Sequence, residues 1–340
     1  MNCLLPQRIV QLHVTTRCNL TCAHCYSSSS PDQRSGLDPA IVVPALRALR
    51  AEGYEVLSVS GGEPFLYAPL SEVAAEASRL GYHVTVVTNG AAVTEAKAAS
   101  VCSAVRTAAV SIEGRPQHHD AIRRKAGAFD LAIRGFRHLS AVGITTGMIA
   151  CVTRSSLPDV PWLHELARAE RASLLQLRPL ALTGRASTTL DSEALDRDDV
   201  TRLAVVAALL GDTDDLPFVQ CDLAPVRELL TSGPAQFALL DGDAPAAPLS
   251  TLVNPLVVAE DGSVRPFAYN VAERYHLSTI DALAAGRWEV LPPAAGGRLA
   301  RLLRQTFAII ADRDAHFVDW YATLTDTSHR VASPQLCSLG

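Results

Sequence analysis

Three of the chain's eight cysteines, Cys18, Cys22 and Cys25, fall within TRCNLTCAHCYS, just past the first expected strand. Three thiolates so spaced suit a soft metal centre. A structural zinc site takes four ligands, commonly as two separated pairs, and Cys3, the next cysteine, lies ahead of that strand. A cubane iron–sulfur cluster held by three cysteines leaves one iron open to an external ligand, and an open iron implies chemistry. The rival readings are chance clustering and a zinc knuckle completed by His24 or His13.

Something must position these thiols, and the pattern downstream supplies it. Short β-branched or apolar runs at 8–15, 56–60, 83–88, 107–112, 146–152 and 174–180 read as strands. Helical spacing fills 39–52, 70–80, 94–101, 129–142 and 159–169 between them. Six strands alternating with helices imply a parallel sheet with right-handed crossovers, open or curled into a partial barrel. In such sheets chemistry gathers at the carboxyl ends of the strands. The cysteine loop, GGEP (Gly61 to Pro64), TNG (Thr88 to Gly90), SIEG (Ser111 to Gly114) and Arg178 all fall there.

The cysteine motif, with these segments in this order, resembles the radical S-adenosylmethionine (radical SAM) superfamily, whose motif is C-x3-C-x-aromatic-C; here His24 takes the aromatic position. The resemblance covers Gln11 to Arg185 and implies a partial (β/α)6 TIM-like barrel, α/β in class. It also implies a [4Fe–4S] cluster on Cys18, Cys22 and Cys25, with SAM chelated to the open iron. SAM would then be cleaved reductively to a 5′-deoxyadenosyl radical that abstracts hydrogen. By the same resemblance His24 stacks on adenine, and Gly61, Gly62, Glu63 and Pro64 contact the SAM amino group. The segments also make independent physical sense. Two glycines let backbone approach a ligand closely, and Pro64 holds Glu63 extended. Asn89, Ser111 and Glu113 offer groups suited to a ribose diol, and Arg178 suits a carboxylate. The plain alternatives are a turn at Asn89-Gly90 and a surface ion pair at Arg178. His119, Asp120 and Arg123 match a segment common in relatives and are given a loop-anchoring role. Cys102 and Cys151 read as small buried hydrophobes.

The chain divides into a core over 1–210 and a smaller α+β domain over 211–340, with a helix near 200–210, a hairpin at 255–267 turning at Asp261-Gly262 and a helix at 298–310. That second part resembles a SPASM or twitch domain that kept its hairpin and lost its cluster. Pro266-Phe267 stands where the family has Pro-Cys. Only Cys221 and Cys337 remain there, too few for a fully protein-ligated cubane. In the superfamily, net oxidation is associated with auxiliary clusters, so a redox-neutral outcome is expected here: decarboxylation, elimination, rearrangement or epimerisation. Cys221 is the candidate hydrogen donor for an epimerisation, with a buried relic thiol as the rival reading.

The balance of 30 basic and 35 acidic residues, with no basic run, disfavours nucleic acid. The N-terminus does not resemble a signal peptide, and no apolar stretch is long enough to span a bilayer, so no membrane partner and a cytoplasmic location are expected. The leading expectation is a radical SAM enzyme of natural-product or antibiotic biosynthesis. It would act on a small sugar, nucleoside or aminoglycoside and draw electrons from a flavodoxin or ferredoxin. A maturase of a ribosomal peptide is the second reading; the few residues before Arg8 leave no room there for a leader-binding domain. A non-catalytic iron–sulfur or zinc sensor is the third.

Overall fold

The computed structural model describes residues 7–212, 215–231, 247–289, 291 and 293–330. Cys3 and Cys337 lie outside them. Strands β1 (Ile9–His13), β2 (Val56–Ser60), β3 (His83–Thr88), β4 (Val105–Ser111), β5 (Thr145–Val152) and β6 (Leu174–Pro179) are parallel and adjacent in chain order. Helices α1 (Pro39–Ala51), α2 (Leu70–Arg79), α3 (Glu95–Val101), α4 (Pro116–Arg123), α5 (Ala128–Ala141) and α6 (Val160–Ala169) make the crossovers. Because each crossover returns to the next strand in sequence and keeps one hand, the helices cover one face. This α/β arrangement is the (β/α)6 order expected.

Period-two alternation separates the two faces of the sheet. Val10, Leu12, Leu57, Val59, Val84, Val86, Ala108, Val110, Leu175 and Leu177 are fully buried and belong to the main core. The intervening positions Gln11, Ser58, Thr85, Thr107 and Gln176 are half-buried, and strand register sets the first four side by side. One face is therefore an aliphatic helix-covered core, and the other is a polar wall.

The segment after residue 210 does not stand apart from this sheet. β7 (Phe218–Cys221) adds parallel to β6, and β9 (Leu256–Val258) adds parallel to β1. β10 (Ser263–Pro266) and β11 (Ser278–Thr279) follow antiparallel, giving ten strands in one sheet among the described residues. A separate ribbon joins β8 (Ala224–Pro225) to β12 (Phe317–Val318). The expected hairpin is β9–β10, with Gly262 at φ +81° in its turn. Phe267, which follows Pro266 at the end of β10, is a buried member of the core.

Two helices differ from the sequence expectation. HHDAIRR, expected as an anchoring loop, forms α4, entered through Pro116 at its first turn. The helix expected near 200 begins at Arg197, because Asp196 and Asp199 form a capping box.

Candidate active site

The cysteine loop leaves β1 and is tied down from three directions. Cys18 N donates to Ser30 O (3.1 Å), Ala23 N to Ile122 O (2.8 Å) and Arg185 N to Cys25 O (2.9 Å). Arg185 also reaches Ser29 O through Nη2 at 2.6 Å. A Cβ at Gly184 would lie 2.3 Å from Tyr26 O, so only glycine lets the strap after β6 lie against the loop. Cys18 and Cys22 are buried around Leu20, with Cys25 half-buried beside them. Among the described residues no three His, Cys, Asp or Glu side chains converge as a single ion requires. A cubane takes each thiolate on a different iron and needs no such convergence. His24 Nδ1 and Arg123 Nε are buried without a hydrogen-bond partner among the described residues, as expected beside a group bound there. The donor set fits a cluster.

On the β2–β3 side the contacts carry no net charge pairing. Gly62 N donates to Thr15 O (2.6 Å) and Glu63 N to Arg17 O (2.9 Å). A Cβ on Gly62 would come within 2.3 Å of Arg17 O, so the close approach these glycines permit is first of all to the chain's own cysteine loop. Glu63 is extended, as Pro64 requires, and fully buried. It accepts from Phe65 N (3.0 Å), Thr88 Oγ1 (2.8 Å) and Asn89 N (2.9 Å). Burial raises its pKa despite these bonds. Asn89 was expected to reach a ribose, yet both ends of its carboxamide are used internally. Nδ2 donates to Asn19 Oδ1 (2.8 Å) and Cys18 Sγ (3.7 Å), and Oδ1 accepts from Ala91 N (2.8 Å).

On the β4–α4 side the contacts are ionic. Arg123 pairs with Glu113, and its Nη1 donates to Cys22 Sγ at 3.6 Å. Glu113 also accepts from Cys151 N (2.6 Å) and lies 3.5 Å from His24 Nε2. Burial opposes its ionisation, but Arg123 prevails and holds the carboxyl below its usual range. Burial pushes His24 and His119 each down to about 4, so both rings are neutral at pH 7. Burial likewise raises the Cys22 thiol, against Arg123, and takes Cys18 up to about 12. Glu113 thus serves Arg123 and the β5 backbone within the chain itself. His119 and Asp120 do anchor. His119 Nδ1 accepts from Glu113 N (3.1 Å), and Asp120 accepts from Gly127 N (2.6 Å) and Phe129 N (2.9 Å).

Ser111 ends β4 half-buried. Arg178, about half exposed, is ion-paired through Nε with Asp222 (2.8 Å). Asp222 accepts further bonds from Gln176 (2.9 Å) and Gln220 (3.3 Å). Cys221 requires a correction. Register aligns it with Leu177, on the helix side, and it lines a cavity of about 240 Å³ with Ala204, Ala207 and Phe317. A hydrogen donor belongs on the face of Gln176 and Arg178, so this thiol is misplaced for that role. Cys151, read as a buried hydrophobe, is the strand partner of Arg178. Sequence reasoning missed Asn19, Gly184, Arg185 and Asp222. Only the Gly-Arg pair carried a signal, a glycine in the short segment that follows an apolar strand.

Residues 12–166 match the model of the radical SAM superfamily. The chain is 28% identical over 187 residues to Fe-coproporphyrin III synthase of Methanosarcina barkeri, covering 54% of this chain and 47% of that protein. It is 30% identical over 191 residues to pre-heme d1 synthase of Dinoroseobacter shibae, covering 56% and 47%. The chain thus spans about half the length of these curated relatives. Among solved structures, native anSMEcpe with bound AdoMet superposes with a TM-score of 0.63 over 94% of this chain and 95% of that one, at 14% identity. Streptococcus suis SuiB gives 0.63 over 86% and 68%, also at 14%. Residues 12–166, which carry the three-thiol loop at the carboxyl ends of the parallel strands, thus form a radical SAM superfamily segment, and that superfamily is one of [4Fe–4S] clusters and SAM.

Proposed function

We propose that the chain is an enzyme that cleaves SAM reductively at a [4Fe–4S] cluster held by Cys18, Cys22 and Cys25. The observation that carries this reading is the three-thiol loop beside His24 Nδ1 and Arg123 Nε, which have no hydrogen-bond partner among the described residues. When bound, the reduced cluster supplies the electron that cleaves SAM to the 5′-deoxyadenosyl radical, which takes a hydrogen atom from the substrate. The chain's own residues hold the parts. Asn89 and Arg123 donate to the sulfurs of Cys18 and Cys22, which stabilises them as thiolates. Glu113 balances Arg123, and the Gly184–Arg185 strap fixes the loop. Around SAM we place His24, the Gly61–Pro64 turn, Asn89, Ser111, Glu113 and Arg178. Ser111 and the backbone carbonyls of Asn89 and Glu113 make the ribose contacts, since the backbone N–H of Asn89 is given to Glu63 and that of Glu113 to His119.

The substrate we favour is a small natural-product intermediate, a sugar, nucleoside or aminoglycoside, transformed without net oxidation. The cysteines left after residue 210 support this, as does a 30% identical stretch of 88 residues shared with an S-adenosylmethionine-dependent nucleotide dehydratase. A ribosomal peptide is the second reading, supported by the sporulation killing factor maturation protein SkfB and the mycofactocin maturase MftC among the relatives. A flavodoxin or ferredoxin would supply electrons in the cytoplasm. Among the described residues no helix is long and apolar enough to cross a membrane.

Anaerobic reconstitution tests the reading. About four irons per chain, one cubane, are expected, together with 5′-deoxyadenosine on adding SAM and dithionite. Cys22→Ala should lose both; full activity in that variant removes the cluster assignment, whereas iron without 5′-deoxyadenosine in the parent chain would leave the sensor reading. About eight irons would point to an auxiliary cluster and to oxidation.

A further inference from the structure

A second carboxylate stands at the same end of the sheet with half of its valence unmet. Glu260 lies two residues beyond β9, the strand that runs parallel to β1. Its Oε1 accepts from Tyr269 Oη at 2.6 Å. Its Oε2 is buried and has no hydrogen-bond partner among the described residues. A buried charged acceptor left unpaired is costly, and such a group implies a ligand that completes it.

The surroundings narrow the ligand class. Tyr269 stacks on His13 (ring centroids 4.6 Å apart), and Tyr26 meets Tyr269 edge-on at 5.1 Å. Tyr26 directly follows Cys25, and its Oη reaches His13 Nδ1 (3.4 Å) and Ser60 Oγ (3.5 Å) at the ends of β1 and β2. Burial, then Arg265, pushes His13 down to about 3, so its ring is a neutral wall. Arg265 stands over Tyr269 at 4.7 Å but gives its hydrogen bonds to Asp261 (2.7 Å), Ser263 (2.7 Å) and Tyr269 O (2.6 Å). An unpaired carboxylate oxygen among electron-rich rings attracts a cation through both charge and ring quadrupole. An anion would be repelled, and a neutral hydroxyl would supply the hydrogen bond without the attraction to the rings.

We propose that Glu260 is a substrate-recognition carboxylate that takes an ammonium or guanidinium group between its Oε2 and the rings of His13, Tyr26 and Tyr269. This rests on the enzyme reading above and narrows it to basic substrates: an amino sugar, or a peptide presenting lysine or arginine.

The test titrates the reconstituted, SAM-loaded full chain with agmatine, and with 1,4-butanediol as its uncharged counterpart, following Tm. Agmatine should raise Tm and butanediol should not. Glu260→Gln should weaken agmatine at least tenfold with iron content unchanged, while Glu95→Gln, on an exposed distant helix, should bind like the parent. Equal shifts from both probes, no agmatine shift in the parent, or unaltered agmatine binding in Glu260→Gln each overturn the proposal. Should Glu260→Gln fail to fold, Tyr269→Phe serves: with Oε1 freed as well, agmatine should bind more tightly, and unchanged binding overturns the proposal. Failure of the enzyme reading would show separately, as missing iron and missing 5′-deoxyadenosine in the parent.

Discussion

The two flanks of the cysteine loop hold it by different physics. At β2–β3 a buried carboxylate, Glu63, is satisfied entirely by neutral donors, and Asn89 passes the contact on to Cys18. At β4–α4 an equally buried carboxylate, Glu113, is matched by a guanidinium that also reaches Cys22. The first flank fixes geometry. The second also sets the charge around the thiols, because Arg123 is a full positive charge with little water near it. One loop is thereby held in shape on one side and electrostatically biased on the other.

Breaking the ionic flank should cost most. Arg123→Met leaves Glu113 buried without its partner and should destabilise by about 3–5 kcal/mol, read as a fall in the urea midpoint. The double variant Arg123→Met, Glu113→Gln removes both charges and should recover much of that loss; a double variant no better than the single would show that Arg123 acts mainly by packing. Iron retained after reconstitution should fall in both, since neither offers Cys22 a cationic donor.

The flanks should also differ in acid. His119 binds its proton near 6.5 when unfolded and only near 4 when folded, so the unfolded state takes up more protons as pH falls. Stability is therefore full above about 6.5 and is lost progressively down to about 4, by about 2 kcal/mol at pH 5 at 1.36 kcal/mol per unit. Glu63 shifts the opposite way: its raised pKa favours the fold as pH falls and offsets part of that loss. Urea midpoints at pH 7 and pH 5 should show a smaller drop in His119→Gln than in the parent; identical drops would place the acid sensitivity elsewhere.

The neutral flank should give the smallest effect. Asn89→Ala removes bonds to Asn19, Ala91 and Cys18 and should cost about 1–3 kcal/mol, with most of the iron retained. Iron loss as deep as in Arg123→Met would erase the distinction between the flanks.

The amino-acid order by itself settled the six strands, two of them to the residue at 56–60 and 83–88, and the five chemically loaded segments at one end of the sheet. It could do so because period-two and period-3.6 patterns are local, and parallel βα units put every strand's carboxyl end on the same side. The motif at Cys18, Cys22 and Cys25 was legible for the same reason: its meaning lies in spacing along a single loop. What Asn89, Glu113 and Cys221 face was not legible. Asn89 turns to the cysteine loop, Glu113 is taken by Arg123 from the next helix, and the register of β7 on β6 puts Cys221 against the helix layer. Glu260 meets Tyr269 across a hairpin, and Tyr269 meets His13 from more than 250 positions away. Such pairings depend on strand register and on which buried charge finds which partner, and only the folded chain decides those, because both are set by packing between segments distant in sequence.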